Sequence, residues 1–194
     1  MRVAVVFESL LGNTREIALA LTDGVRRADP QGKVSCAGVR ETNAAQLGDV
    51  DLLFVGGPTH FLGMASARTR RMWVRDQDVA AARSRSGHPL DPGQAPPALR
   101  EWLDLLAPAP SGACAAAFDT RLEKFAAGGA APRIARRLRR RGYKIAARPI
   151  GFIVDGMEGP VRTGEAERAA LWAAQTVRRT TLERERRPGT PGDG

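Results

Sequence analysis

Three observations predict that this 194-residue chain forms an α/β fold, with five strands in a doubly wound parallel sheet and helices on both faces. Short apolar runs alternate with amphipathic stretches along its length, the pattern of strands joined by crossover helices. The run Leu52-Leu53-Phe54-Val55 is continuously apolar, as suits a central strand buried on both faces. A strand-loop-helix signature also opens the chain: an apolar run over residues 3–7, then Glu8-Ser9-Leu10-Leu11-Gly12-Asn13-Thr14, then the helical start Arg15-Glu16-Ile17-Ala18.

Strand one covers residues 3–7. Helix one, over 13–28, buries Ile17, Leu21 and Val25, spaced four apart, and Asp29-Pro30 stops it. Strand two is expected over 33–39, a short helix over 44–47 and strand three over 51–55. Strand four covers 113–118. Helix four, over 132–141, opens with proline in its first turn and keeps Ile134 and Leu138 on one face. Strand five runs over 144–150 with 152–154 as its continuation, and the last helix spans 165–184. Between strands three and four lie a basic helical stretch over 65–82, a loop rich in Ser, Gly and Pro over 84–97, and a helix over 98–106. Connections of that length are usually functional or disordered. Residues 1–186 are expected to form one domain, with 65–106 its long insertion, and 187–194 a disordered tail.

Glu8 interrupts the first apolar run before a signal-peptide core could form, and no apolar stretch approaches bilayer length. A soluble, cytoplasmic protein without a membrane partner is expected. Cys36 and Cys114 have neither metal-ligand spacing nor a nearby second thiol, and both fall in predicted strands as small buried residues. The formal charge is +9, from 30 basic and 21 acidic residues, and nearly all the basic ones are arginine. One cluster is Arg68, Arg70, Arg71 and Arg75; another is Arg136-Arg137-Leu138-Arg139-Arg140-Arg141. The second ends a helical pattern, where cations suit the dipole and Gly142 supplies a cap, and it reads as a solvated face ahead of an interaction patch. Neither interleaved aromatics nor a known module accompanies these charges, so no nucleic-acid partner is expected.

The first loop carries the chemistry. Its hydroxyl and amide side chains, a glycine that permits close backbone approach, and the unpaired amides of a helix start suit a phosphate. It lacks the lysine of a nucleoside-triphosphate loop and the three spaced glycines of a dinucleotide fingerprint, which leaves a single terminal phosphate as the better match. The plainer alternative is an ordinary capping turn. Other chemistries are excluded by spacing: Cys36-x3-Arg40 and Cys114-x6-Arg121 do not match a Cys-x5-Arg phosphatase loop, and no Ser-His-Asp grouping or metal spacing is present.

The run Ser9-x-x-Gly12-Asn13-Thr14 resembles the phosphate loop of flavodoxins and related FMN-binding proteins, whose pattern is Ser or Thr, two residues, then Gly-Asn-Thr. That resemblance implies strand order 2-1-3-4-5, with a ligand outside the carboxyl ends of the strands beside strand one. After strand three, Gly56-Gly57-Pro58-Thr59-His60-Phe61-Leu62-Gly63-Met64 reads as a rigid exit turn where a flavodoxin places the loop flanking its isoalloxazine ring. Gly-Gly-Pro-Thr-His with Gly-Met two residues on is similar to a group of bacterial flavodoxin-like proteins that also carry Phe-Asp-Thr-Arg after strand four, here Phe118-Asp119-Thr120-Arg121. The resemblance covers nearly the whole chain, but three short loops make it specific.

It implies FMN as cofactor and no catalytic side chain. Ser9, Leu10, Leu11, Gly12, Asn13 and Thr14 would surround the phosphate; Pro58, Thr59, His60, Phe61, Leu62 and Gly63 would line the ring; Phe118, Asp119, Thr120 and Arg121 would face the pyrimidine edge. Many relatives carry an aromatic residue where Leu62 stands, and many have a ring-facing group at Leu11. Either Phe61 takes the stacking role or Leu11 and Leu62 hold the ring by aliphatic contact. Plainer readings stand beside these: His60 as a hydrogen-bonding loop residue, His88 as solvated, Trp73, Trp102 and Trp172 as packing residues, and Asp119 as a cap of helix four or a turn.

The leading functional expectation is an FMN-binding electron-transfer protein, monomer or dimer, that meets a redox partner protein. The alternatives are an NAD(P)H-dependent flavin or quinone reductase with 65–106 as its substrate pocket, and a flavin-free binding or regulatory module.

Overall fold

The computed structural model describes residues 1–9, 11–44, 47–60, 63–64, 99–123, 129–156 and 159–186. In chain order the elements are β1 (Arg2–Phe7), α1 (Asn13–Ala28), β2 (Lys33–Gly38), β3 (Leu52–His60), β4 (Gly63–Met64), α2 (Leu99–Leu105), β5 (Cys114–Leu122), α3 (Ala130–Arg140), β6 (Lys144–Ile145), β7 (Ile150–Val154) and α4 (Glu165–Glu185). Leu10, Phe61, Leu62, the stretches expected over 65–82 and 84–97, with Trp73, His88 and the Arg68 to Arg75 cluster, and the tail 187–194 lie outside the described residues.

The sheet order is β2-β1-β3-β5-β6, with β7 also on β5, and every pairing along it is parallel. This is the expected order, the fifth strand being built in two pieces. Its interruption falls just before Ile150, where Pro149 has no amide to donate to a ladder. Alternate side chains of the strands feed two cores. Val3, Val5, Phe54 and Phe118 pack against Ile17, Leu21 and Val25 of α1 and Ala169, Ala173 and Val177 of α4. Ala4, Val6, Val55 and Ala117 pack against Leu99, Trp102 and Leu103 of α2 and Ile134 and Leu138 of α3. Helices thus cover both faces, and the stripe read from α1 is buried as its spacing requires.

The tryptophans that are described pack, as expected. Trp102 is buried and donates its ring N–H to the Thr42 carbonyl at 2.9 Å. Trp172 meets Phe54 and Phe152 edge to face at 5.6 and 6.4 Å between centroids.

Two boundaries correct the sequence reading, and both matter for the site. Strand three does not stop before a rigid exit turn at Gly56-Gly57; β3 continues to His60 and folds back through the antiparallel pair Thr59↔Met64 and His60↔Gly63. Likewise Phe118-Asp119-Thr120-Arg121 is not a loop but the second half of β5, paired with β3 through Pro58↔Thr120 and with β7 through Leu122↔Val154. The reason is that neighbours on both sides continue alongside β5. β1, in contrast, pairs with β3 only as far as Phe7↔Gly56, so beyond it β3 is locally an edge, where Pro58 leaves no ladder partner unsatisfied. Helix α3 also starts at Ala130, two residues before the expected Pro132.

Cys36 lies half-buried on β2 and Cys114 buried on β5, with β1 and β3 between them. Three strand spacings of about 4.8 Å exceed the reach of a disulfide. Mass mapping under native, non-reducing conditions is expected to find two free thiols; a Cys36–Cys114 bridge would contradict the strand order.

Candidate functional site

β1 ends at Phe7 between β2 and β3, at the point where chain connections leave the sheet in opposite directions. Open α/β sheets bind ligands in that crevice, outside the carboxyl ends of the strands. The Glu8 amide still donates to the Gly56 carbonyl at 3.0 Å, and the chain then turns into α1. Gly12 supplies the turn at φ +92°, and a Cβ there would meet nothing within 4 Å. The residue is glycine for its backbone conformation, and the space above it is open. No side chain caps Gly12, and the Ser9 hydroxyl accepts from the Arg15 amide at 3.2 Å. Among the described residues, the Gly12, Asn13 and Thr14 amides have no protein acceptor.

Thr14 was expected to offer its hydroxyl to a ligand. It is 2% exposed, and that hydroxyl pairs with the buried Thr120 hydroxyl of β5 at 2.8 Å. The side chain therefore pins the first turn of α1 to the sheet. Thr14→Ala leaves a buried hydroxyl without its partner and should lower stability by about 1 to 3 kcal/mol, read as a shifted urea midpoint.

Among the described residues four helices begin at this edge, and amides at the starts of two of them, α2 and α3, are met by carboxylates. The α2 amide of Leu99 donates to Glu8 Oε2 at 3.3 Å and the α3 amide of Ala131 donates to Asp119 Oδ2 at 2.7 Å; on α4, Glu165 accepts instead from the Ile153 amide at 2.7 Å and from Arg168. Glu8 and Asp119 each offset the positive end of a helix dipole. At α1 the described partner of the first-turn amides is the neutral Ser9 hydroxyl, while Glu16 lies exposed on that turn. The open positive end therefore coincides with the loop that composition marked for phosphate. Glu8, buried at 5% exposure beneath that loop, was missed as a site residue. Its one sequence signal was an acid directly following an apolar strand.

Across the crevice, Thr59 is half-buried and accepts the Ala130 amide at 2.9 Å, which fixes the β3 end to the start of α3. His60 follows in β3, with Phe61 and Leu62 outside the described residues. Of the third group, Phe118 is fully buried in the α1 and α4 core, and Thr120 is taken up by Thr14. Asp119 takes the capping role that the sequence left open. Burial raises its carboxyl above the usual range, while Arg121, the Ala131 amide and the Thr59 hydroxyl draw it back. Gly129 and Gly151, which flank Arg121, carried no sequence signal.

The cluster Arg136 to Arg141 sits in the last turn of α3 and beyond it, beside Tyr143 and Lys144 at the amino edge of the sheet. Arg137 pairs with Asp104, and Arg141 donates to the Asp104 carbonyl; Arg136, Arg139 and Arg140 are exposed. This is the solvated face expected, and it lies at the far end of α3 from the crevice, about 15 Å along an 11-residue helix. At a Debye length of about 8 Å it exerts little force there. A cleft of about 390 Å³, lined by Met1, Arg2, Gln31, Lys33, Asp49 and Asp51, also opens at that amino edge, where Arg2 pairs with Asp49 and Arg184 with Asp51.

The order of the sheet, its two covered faces and the loops over its switch point define a flavodoxin-like α/β protein. No protein-family model matches the sequence, and none of the curated proteins does. Among solved structures, the chain is similar to a flavodoxin from the domain Archaea, with a TM-score of 0.61 at 15% identity over 93% of this chain and 99% of that one. Oxidised flavodoxin 2 from Bacillus cereus gives 0.61 at 15% identity over 92% and 99% of the two chains. Oxidised flavodoxin 1 from the same organism gives 0.60 at 15% over 92% and 98%. Likeness at this identity establishes the fold. Among the described residues, no helix is long and apolar enough to cross a membrane, and no group of three acidic, His or Cys side chains could hold a metal ion.

Proposed function

We propose that this protein binds FMN and works as a flavodoxin-like electron carrier. The observation that carries the reading is the α1 N-terminus: among the described residues its first amides have no protein acceptor and stand at the switch point, while amides at the starts of α2 and α3 are met by the Glu8 and Asp119 carboxylates. The residues present fit the group. The Gly12, Asn13 and Thr14 amides would bind the phosphate, and Ser9, whose oxygen already accepts from Arg15, retains a hydroxyl proton to donate. Thr59, His60, Phe61, Leu62 and Gly63 would border the ring. When bound, FMN supplies the redox chemistry, and the protein supplies binding, orientation and electrostatics. No side chain is required as an acid or base.

Fluorescence-quenching titrations with FMN and riboflavin test the reading. Hydrogen bonds to a charged group contribute about 1.5 to 3 kcal/mol each. Losing two of them should weaken riboflavin by at least about 100-fold relative to FMN, at about 1.4 kcal/mol per decade. Equal affinity for the two flavins would remove the phosphate site. Turnover of NAD(P)H by the FMN-loaded protein alone would instead make it a reductase of the same fold.

A further inference from the structure

Asp119 and Arg121 stand two residues apart on β5 and so share a face of the sheet. Arg121 Nε and Nη2 donate to the two Asp119 oxygens at 2.6 and 2.8 Å. The Asp119 side chain is fully buried, and that of Arg121 is 10% exposed. The same carboxylate accepts from the Ala131 amide at 2.7 Å, and the Thr59 hydroxyl beside it accepts from the Ala130 amide at 2.9 Å. One ion pair therefore joins the end of β3, the end of β5 and the first turn of α3. The space around it is shaped for a flat group. A Cβ on Gly129 would lie 2.5 Å from Arg121 Cζ, and one on Gly151 would lie 2.1 Å from Nε, so two glycines admit the guanidinium plane between backbones. Lysine reproduces neither the fork nor the plane.

We propose that Asp119 and Arg121 are positioning residues for the ring side of the site: they hold the Thr59 end of β3 against the start of α3, and thereby set affinity for the flavin ring without acting on the phosphate. The inference rests on the flavin reading above. The carboxylate's oxygens already receive three donors within the protein, so its part is to fix geometry. A buried pair of this kind cannot lose one partner cheaply, because the other is left charged and uncompensated. Thr59 stands near the end of β3 and Arg121 near the end of β5, and the consecutive Ala130 and Ala131 amides bind Thr59 and the Asp119 carboxylate. The phosphate loop reaches this region through a different bond, Thr14 to Thr120, which the pair does not share.

The test compares the parent with Arg121→Lys and Asp119→Asn, singly and together, by titration with FMN and with riboflavin and by amide hydrogen exchange on the flavin-free protein. Both flavins are expected to weaken about tenfold in each single variant with the ratio between them preserved, and the double variant to be no worse than the poorer single. Exchange should rise together at the end of β3 and the first turn of α3, and stay unchanged at the first turn of α1. Unchanged flavin affinities in a flavin-binding parent, a loss confined to FMN, or faster exchange in only one of the two segments overturns the inference. A parent that binds neither flavin overturns the functional reading and the ring-side role together. If Arg121→Lys does not fold, as judged by its thermal melt, Asp119→Asn alone decides, since it keeps an acceptor for the Ala131 amide.

Discussion

Ser9→Asp is expected to weaken FMN binding by about 100- to 1000-fold while leaving the fold as stable as the parent or slightly more so. Ser9 already accepts from the Arg15 amide, and an aspartate can accept in its place. A carboxylate at a helix N-terminus contributes about 0.3 to 1 kcal/mol through the dipole, so folding does not suffer. Binding does, because the added charge and a phosphate would compete for the same open helix end. Two unit charges about 4 Å apart near a protein surface repel by about 4 kcal/mol, close to three decades in affinity. Riboflavin lacks the phosphate and should lose no more than about threefold. The measurement is a paired titration with both flavins, beside a urea unfolding curve for each protein. If FMN and riboflavin weaken equally, or neither weakens, α1 does not hold the phosphate. The opposite movements of binding and stability separate this result from a misfolded variant.

Much of this arrangement was legible in the sequence, because local pattern and strong periodicity decided it. The apolar run over 3–7, the glycine turn and the helix with Ile17, Leu21 and Val25 form β1 and α1 as read, and the strand order followed from the loop resemblance. What escaped reading depended on partners far along the chain. Glycine and proline at 56–58 signal a turn locally, yet β5 runs alongside and carries β3 through them to His60. Gly56 is needed there because a Cβ would lie 2.3 Å from the Phe118 ring, a contact across two strands. Thr14 reads as an exposed donor until Thr120 is found beneath it, 106 residues later. Asp119 and Arg121 read as flavin contacts, since a sequence displays charge and hides burial. Their pairing depends on Gly129 and Gly151, and nothing near either residue announces it.

Gly24→Ala should lower stability by about 3 kcal/mol. In an exposed helix the same change is favourable by about 1 kcal/mol, because alanine is the better helix former. Gly24 is buried in α1 where α4 packs along it, and a Cβ there would lie 2.1 Å from the Ala170 carbonyl oxygen and 2.8 Å from its carbonyl carbon and Cα. Those are backbone atoms in the interior of a 21-residue helix, so no side chain can swing aside. Relief needs a movement of more than about 1 Å between two helices whose other contacts, Ile17, Leu21 and Val25 against Ala169, Ala173 and Val177, are already close-packed. Overpacking of that kind costs about 1 to 3 kcal/mol and occasionally more, and a rigid backbone obstacle places this site at the upper end. For a domain of this size, about 3 kcal/mol corresponds to a Tm lower by about 6 to 12 °C. Gly48→Ala is the matched control, since its Cβ would meet nothing within 4 Å, and it should stay within about 0.5 kcal/mol of the parent. FMN affinity of folded Gly24→Ala should change little, because Gly24 stands about 18 Å along α1 from Gly12. A Gly24→Ala protein that melts above the parent would mean that α1 and α4 are not held at the spacing seen here, and that the loop before α1 rests on a looser helix than this fold describes.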